Sequence, residues 1–347
     1  MSVGDEIARA FGRLIETRLD VETLRAAEAG AFPDALFRET LELGLADALV
    51  PESRGGFGLR WRDLAPLFRA AGAAALPVPI GEHMLARMLI AEAGAPAPDG
   101  LIALPARPGA PLTVSRAGVS GALAAVPWGG AASHLVAEGV RDGTAQTLLL
   151  ARADVVGRPT PSLSREPYET LTLEAVAPAA AGPGEAGRLL HLGAALRSLQ
   201  IAGALEKVLA LCVDYAQTRR QFGRPIGKFQ AVQQMLAELS NEAAAVNAVT
   251  DAAVAALDRG RADAATAVAK ARASAAADKA SALAHEVFAA IGVTEELGLH
   301  HLTRRLWQWR DDFGDEAYWA DRLGRDLLAS PDRDLWARVV GAFDASA

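Results

Sequence analysis

The sequence predicts a mainly α, multidomain α+β protein, and three observations lead to this fold class. Apolar residues make up 51% of the 347 residues but aromatic residues only 5%, which favours close-packed, alanine-rich helices. Helical periodicity occupies 1–98 and 183–347, whereas 99–182 consist of short apolar runs. We therefore expect an N-terminal helical domain (1–98), a central antiparallel β domain (99–182) and a C-terminal antiparallel helix bundle (183–347).

Proline and glycine delimit the expected N-terminal helices. Pro33 suits the first turn of a helix that ends at Gly44, because proline at this position loses no intrahelical hydrogen bond. Two further helical stretches, 61–72 and 80–94, each stop at a glycine. Residues 51–58 contain three glycines and predict a loop between helices.

The central segment reads as a series of strands. Its apolar or alternating runs are short, recur about every ten residues, and are separated by turn-forming residues, as is typical of an antiparallel sheet. A linker at 177–187 leads out of this region. The expected strands lie within 101–106, 111–123, 134–139, 146–155 and 168–176.

The C-terminal segment predicts long helices joined by short links, an arrangement typical of an antiparallel bundle. Two or three shorter helices are expected after the long ones, the last of them beyond Pro331. The long helices are predicted at 187–218, 229–258 and 262–290, and the shorter ones at 299–313 and 316–329.

Composition excludes several classes of protein. The net charge of −7 and the pI near 5.5 argue against a nucleic-acid partner. The single cysteine, Cys212, cannot form an internal disulfide and fits a reducing compartment. Acidic residues by position 5 argue against a signal peptide, and the uncharged run 117–137 is too rich in glycine for a membrane span. We expect a cytoplasmic protein.

Familiar catalytic and metal motifs are missing from the sequence. Residues 285–289 begin as a zinc-binding His-Glu-x-x-His pattern would, but position 289 is alanine. His300 and His301 are adjacent, so on a helix they should point about 100° apart and be unable to chelate one metal. We therefore predict no metal site, and these motifs identify no catalytic residue.

One stretch, Tyr215–Leu239, carries more chemistry than a helix connection needs. Arg219, Arg220 and Arg224 supply planar donors of the kind that bind phosphate oxygens. Gly223, Pro225 and Gly227 predict a turn whose backbone N–H groups could face an anion. The arginines could equally cap the last carbonyls of the preceding helix, and composition leaves both interpretations open.

The stretch Tyr-Ala-Gln-Thr-Arg-Arg-Gln-Phe-Gly-Arg-Pro-Ile, with Phe-Gln following at 229–230, resembles the signature of acyl-CoA dehydrogenases. Residues 41–59 are similar to that family's N-terminal Leu-Gly-Leu…Pro-Glu…Gly-Gly-Phe-Gly segment, and the helical–β–helical order is also that of the family. The resemblance implies an FAD enzyme that removes hydrogens from Cα and Cβ of an acyl-CoA. It further implies that this stretch binds the flavin of a neighbouring subunit: Arg219, Gln221 and Phe222 at the pyrophosphate, and Gln230 nearby.

The sequence departs from the family at the second flavin segment. The family pattern there is Gln-x-x-Gly-Gly-x-Gly, and the corresponding residues 286–292 read Glu-Val-Phe-Ala-Ala-Ile-Gly. By resemblance, Glu286 and Ala290 belong to the cofactor site, although a carboxylate near phosphate is unfavourable and Ala289 and Ala290 add methyl groups.

The family's catalytic glutamate is also missing. It occurs at one of two places, which correspond here to Phe313 and Gly193. Asp311, Asp312 and Asp315 lie close to the first place and read as polar residues at a helix end. The β domain lacks the Thr-Glu…Gly-Ser-Asp loop that meets the flavin ring in relatives.

With these departures, the chain resembles the smaller chain of heteromeric acyl-CoA dehydrogenases. In such complexes a sister chain supplies the base. The implied partners are an acyl-CoA from fatty acid or steroid side-chain β-oxidation, a dehydrogenase-like chain in a dimer or tetramer, and an electron-transfer flavoprotein-like acceptor. Two alternatives stay open: a self-sufficient homo-oligomer that uses a relocated base such as Asp312, and a non-enzymatic scaffold that no longer binds flavin.

Overall fold

The computed structural model describes residues 3–260, 263–294, 297–329 and 336–337. Helices, a sheet and then helices follow one another along the chain, which confirms the predicted order. The chain forms two compact units, one from residues 1–64 and 76–196 and the other from 65–75 and 197–347. The three predicted domain boundaries stay a prediction.

The N-terminal helices begin and end close to the predicted signals. Pro33 is the N-cap of its helix rather than the first helical residue. Asp20 caps another helix by accepting a hydrogen bond from the Thr23 amide at 2.7 Å. The helices are α1 (Val3–Arg18), α2 (Val21–Glu28), α3 (Asp34–Glu42), α4 (Trp61–Ala73) and α5 (Ile80–Glu92).

The central strands form one sheet in the order β6-β7-β3-β2-β4-β5-β8, with β1 beside β4. A further pair of two-residue strands, β9 and β10, lies in the C-terminal unit. The strands are β1 (Ile102–Ala103), β2 (Leu112–Ser115), β3 (Gly118–Pro127), β4 (His134–Arg141), β5 (Thr144–Ala151), β6 (Val156–Thr160), β7 (Tyr168–Val176), β8 (Ala180–Pro183), β9 (Arg220–Gln221) and β10 (Arg224–Pro225).

The expectation of a purely antiparallel sheet is wrong in one respect. Strands β1 and β2 both pair with β4 in parallel, and the remaining pairings are antiparallel. After the β2–β3 hairpin the chain does not continue beside β3 but crosses to the far side of β2. Because β4 then runs in the same direction as β2, the two strands meet in parallel, and the sheet is mixed.

The sheet fixes the start of the longest helix. The carboxylate of Glu138, on β4, accepts hydrogen bonds from the amides of Gly187 and Leu189 at 2.9 and 2.7 Å. These amides are among those that a helix N-terminus leaves without an intrahelical partner, so a strand residue caps the helix that follows.

The C-terminal helices pack through small residues. A Cβ atom at Gly203 would lie 1.9 Å from the carbonyl oxygen of Arg69, so α4 and the helix that carries Gly203 approach closely only because the residue is glycine. Alanines supply many of the buried positions in this core. The helices are α6 (Arg188–Thr218), α7 (Gln230–Leu257), α8 (Asp263–Phe288), α9 (Leu299–Asp311) and α10 (Glu316–Ala329).

Two further predictions concern a membrane span and the last helix. None of the helices in the described part of the chain is long and apolar enough to cross a membrane. The helix predicted after Pro331 lies largely outside the described residues.

Candidate functional site

The stretch singled out in the sequence folds as a short hairpin, which we call the signature hairpin (residues 219–229). Strands β9 and β10 pair antiparallel, with Arg224 opposite Gln221. Phe222 and Gly223 form the turn with φ of 50° and 81°, the left-handed pair that a two-residue hairpin of type I′ requires. The turn leaves the Phe222 side chain 90% exposed at the tip.

The hairpin presents donors that the rest of the described chain does not use. Arg219, Arg220 and Gln221 are exposed, and within the described residues their side chains make no hydrogen bond or ion pair. The end of α6 is capped instead by Thr218, whose hydroxyl donates to the carbonyls of Asp214 and Tyr215. The alternative that the arginines cap this helix is therefore wrong.

Two residues of the hairpin pack on the aromatic ring of Phe229. The Arg224 guanidinium lies 4.2 Å from the centre of the Phe229 ring, and the Phe222 ring meets Phe229 edge-on at 6.0 Å. Phe229 is also the N-cap residue of α7 and provides no side-chain cap. The helix N-terminus at Gln230, itself exposed, therefore favours an anion beside the hairpin.

The second predicted flavin segment lies near the first. The rings of Tyr215, on α6, and Phe288, the last residue of α8, stack with centroids 4.4 Å apart and planes 18° apart. Glu286, Ala289 and Ala290 are all exposed in the same region. The structure thus brings the ends of α6 and α8 together, and with them the two segments that the sequence predicts to share a cofactor.

The two segments differ in how well they fit a diphosphate. The hairpin offers exposed guanidinium and amide donors without competing partners, as a diphosphate requires. Glu286 adds a negative charge, and Ala289 takes φ of 54°, a conformation that favours glycine. The donor set of the hairpin fits the pyrophosphate of FAD, and the 286–290 segment fits it poorly.

Neither place that corresponds to the family's base carries a usable carboxylate. Phe313 is fully buried, with its ring centre 5.6 Å from the Arg197 guanidinium. Gly193 is buried within α6, one helical turn before Arg197. Asp312 is 1% exposed, and its oxygens are bound by Arg197 and Gln308, both at 2.9 Å. A carboxylate held in this way is a structural ion pair rather than a free base.

The other carboxylates of this turn have structural contacts too. Asp315 caps α10 by accepting a hydrogen bond from the Tyr318 amide at 2.8 Å. Asp312 is the C-cap residue of α9, as the sequence suggested for a polar residue at a helix end, and it is also part of a buried cluster with Arg197 and Lys270. Sequence reasoning missed the two cations, although a lysine inside the alanine-rich run 264–277 was a signal.

The two adjacent histidines differ from their predicted geometry. Instead of pointing apart, the rings of His300 and His301 lie with centroids 3.9 Å apart and planes 43° apart. Side-chain rotation in the first turn of α9 brings them together although their Cβ atoms diverge. The absence of a metal site stays a prediction.

The β domain, whose sequence lacks the Thr-Glu…Gly-Ser-Asp loop, has a connection after β1 that lies against the sheet. After β1, the Ala106 amide donates to the carbonyl of Ala125 on β3 at 3.1 Å, so the connection lies against the sheet. Nearby, the indole N–H of Trp128 donates to the carboxylate of Glu166 at 3.1 Å, inside the same unit. In both contacts, donor and acceptor belong to the same unit of the chain.

The chain matches two models of one protein family and is similar to known members of it. Residues 4–97 match the model of the acyl-CoA dehydrogenase N-terminal domain, and residues 182–307 match that of the acyl-CoA dehydrogenase C-terminal domain. The acyl-CoA dehydrogenase IpdE2 of Mycobacterium tuberculosis is 31% identical over 233 residues, which cover 65% of this chain and 67% of that protein.

Solved structures give the same picture. A variant of the Tcur3481–Tcur3483 steroid ACAD superposes with a TM-score of 0.86 at 26% identity and covers 94% of this chain and 99% of its own. The ChsE4–ChsE5 complex from Mycobacterium tuberculosis has a TM-score of 0.85 at 22% identity and covers 96% and 99%. The similarity to the ChsE4–ChsE5 complex is evidence for the fold alone.

Proposed function

The chain belongs to the acyl-CoA dehydrogenase family, and we propose that within it the chain is an FAD-dependent subunit that lacks the base and works with a sister chain. The observation that carries this proposal is the contrast between an intact set of flavin-binding donors and the loss of every usable carboxylate at the two base positions. The family chemistry is α,β-dehydrogenation of an acyl-CoA thioester.

The cofactor that the hairpin residues would hold, FAD, would supply the acceptor for the hydride of the acyl β carbon. Toward this cofactor the chain contributes charge and position. Arg219 and Gln221 would donate to pyrophosphate oxygens of a flavin shared with a neighbouring subunit, Phe222 would lie beside the same pyrophosphate, and Gln230 would add its amide at the start of α7. Because Glu286 opposes this binding, we propose that the hairpin supplies most of the cofactor affinity of this chain.

The proton at the acyl α carbon needs a base from elsewhere. General-base catalysis typically contributes about 10²- to 10⁴-fold to a rate, so a chain without a base is a poor dehydrogenase alone. Neither phenylalanine at 313 nor glycine at 193 can accept a proton. Asp312 is bound by Arg197, and abstraction by its carboxylate would require breaking a buried ion pair.

The comparisons favour a heteromeric assembly and a bulky acyl group. One similar structure is the Tcur3481–Tcur3483 steroid ACAD, and another is the ChsE4–ChsE5 complex. We therefore propose a steroid-like or long-chain acyl-CoA as substrate, a dehydrogenase-like sister chain in a dimer or tetramer, and an electron-transfer flavoprotein-like acceptor. A cytoplasmic location is part of the same proposal.

Co-purification from the native source tests this assignment. We expect a second acyl-CoA dehydrogenase-like chain with a glutamate at a base position. The complex should be yellow, with the flavin absorbance eluting together with both chains. A yellow homo-oligomer without a second chain would favour the self-sufficient enzyme. A colourless protein that stays colourless with FAD and with every co-purified chain would favour the scaffold.

A further inference from the structure

Lys270 is the side chain in this fold whose placement the proposed function does not explain. The chain contains 35 basic residues, of which only four are lysines, at positions 207, 228, 270 and 279. The other three are exposed, whereas Lys270 is 0% exposed in the middle of α8. Lysine, unlike arginine, loses its proton when burial is sufficiently unfavourable, so its use at this position has chemical consequences.

The ammonium group joins α8 to the connection between α9 and α10. Nζ donates to the hydroxyl of Ser274 at 2.8 Å, to the carbonyl of Arg310 at 2.8 Å and to the carbonyl of Gly314 at 2.7 Å. The last two acceptors belong to the segment Arg310–Glu316, which we call the 310–316 turn. The ammonium form has three donors for these three acceptors and the neutral amine has two, and two of the three contacts tie the turn to α8.

The buried charges around Lys270 do not balance. Arg197 on α6 and Lys270 are both buried, and among the described residues the one fully buried carboxylate beside them, Asp312, is already paired with Arg197. A second cation in a space with one carboxylate is poorly compensated. The remaining charged groups that face Lys270 lie in or beside the turn and are partly exposed: Asp311, Asp315 and Glu316.

The electrostatic consequence agrees with the geometry. Burial lowers the pKa of Lys270 to about 7, while Asp312 acts in the opposite direction and Arg197 adds to the lowering. A lysine exposed to water has a pKa near 10.4. The proton is therefore held less tightly when the turn is packed on α8 than when Lys270 reaches solvent.

We propose that Lys270 is a protonation-controlled latch that holds the 310–316 turn against α8. Opening of the turn exposes the amine to water. Between the pKa of Lys270 in the packed state and its pKa in the exposed state, opening is accompanied by uptake of a proton. Linkage then requires that opening becomes less favourable as pH rises above about 7, by at most tenfold per pH unit, and that it is insensitive to this group below that pH. Acidification from pH 9 toward 7 loosens the turn.

Direct titration of the lysines tests the first half of the proposal. With only four lysines, a protein labelled with ¹³C at lysine Cε gives four assignable signals. We expect one signal with a midpoint near pH 7, absent in Lys270→Met and present in Lys279→Met, a matched variant on the exposed side of the same helix. A Lys270 signal that titrates above pH 9.5 overturns the proposal, and this measurement needs only the folded wild-type chain and an assignment.

Native-state hydrogen exchange tests the second half. After correction for the intrinsic exchange rate, the opening constant of amides 311–319 should fall several-fold per pH unit between pH 7.5 and 9.5 in wild type and in Lys279→Met. In Lys270→Met it should not change with pH. An equal pH slope in Lys270→Met, or a flat profile in wild type, overturns the latch even if the amine titrates near neutral pH.

Discussion

The signature hairpin and the buried cluster of Arg197, Lys270 and Asp312 both concentrate positive charge, but they use it in opposite ways. In the hairpin, the side chains of Arg219 and Arg220 are exposed and make no hydrogen bond or ion pair with the described residues. In the cluster, Arg197 is buried and pairs with Asp312 at 2.9 Å, next to Phe313, one of the two positions that the family resemblance assigns to the base. Exposed cations without a partner among the described residues indicate binding, and a buried cation held in an ion pair indicates a structural role.

This difference assigns separate roles to two parts of one helical unit. The hairpin keeps what an anionic cofactor needs, and the region around Phe313 has become a packed connection between helices. Under the proposed function, the chain would keep its part in a shared flavin site without taking part in proton abstraction.

The largest expected effect is on stability, at the cluster. Asp312→Ala removes the only fully buried carboxylate beside Arg197 and Lys270, so two buried cations lose their compensation. We expect a loss of about 3–5 kcal/mol in the free energy of unfolding, measured by urea denaturation. Asp321→Ala, which breaks the exposed pair with Arg325, is the control and should cost under about 1 kcal/mol. Equal losses in both variants would contradict a structural role for Asp312.

An intermediate effect is expected on cofactor binding, at the hairpin. Arg219→Ala removes one charge-assisted contact to phosphate, which should weaken FAD retention by about 1.5–3 kcal/mol, roughly ten- to a hundred-fold. The unfolding midpoint should stay unchanged because Arg219 has no described side-chain partner. Flavin fluorescence during dialysis of the assembled protein measures this, and Arg259→Ala, an exposed arginine at the far end of α7, is the control.

Flavin content that does not change in Arg219→Ala would refute the role of the hairpin. A strictly monomeric chain that binds FAD fully would refute the sharing of the cofactor between subunits.

The smallest effect is expected at the second flavin segment. Glu286→Gln restores the family residue and removes a negative charge near the phosphates, which should tighten FAD retention by about 0.3–1 kcal/mol. Glu174→Gln changes an exposed carboxylate on β7, in the other unit, and should have no effect. Weaker binding in Glu286→Gln would mean that the 286–290 segment does not face the cofactor.

Much of the fold could be predicted because its signals are local. Glycines, prolines and polar caps mark the helix ends, and the bundle helices begin and end within a few residues of the predicted bounds. The parallel pairings of β4 could not be predicted, because the crossover to the far side of β2 depends on the whole sheet and not on any strand.

The site divides in the same way. The hairpin is contiguous in sequence, so its residues were found together, and Phe-Gly at 222–223 suits the turn that it forms. Arg197, Lys270 and Asp312 come from three distant segments, and no local pattern shows that they meet. The sequence therefore suggested Asp312 as a possible relocated base, whereas its burial and pairing show a structural contact.

Turnover by the isolated chain tests the central claim most directly. The purified chain, loaded with FAD, is assayed with short, long and steroid-like acyl-CoAs and a dye acceptor, alone and after addition of a glutamate-bearing sister chain. We expect no turnover alone and an increase of at least about 10²-fold with the sister chain. Robust turnover by the pure chain that is lost in Asp312→Asn but kept in Asp311→Asn would contradict the account and identify Asp312 as the base.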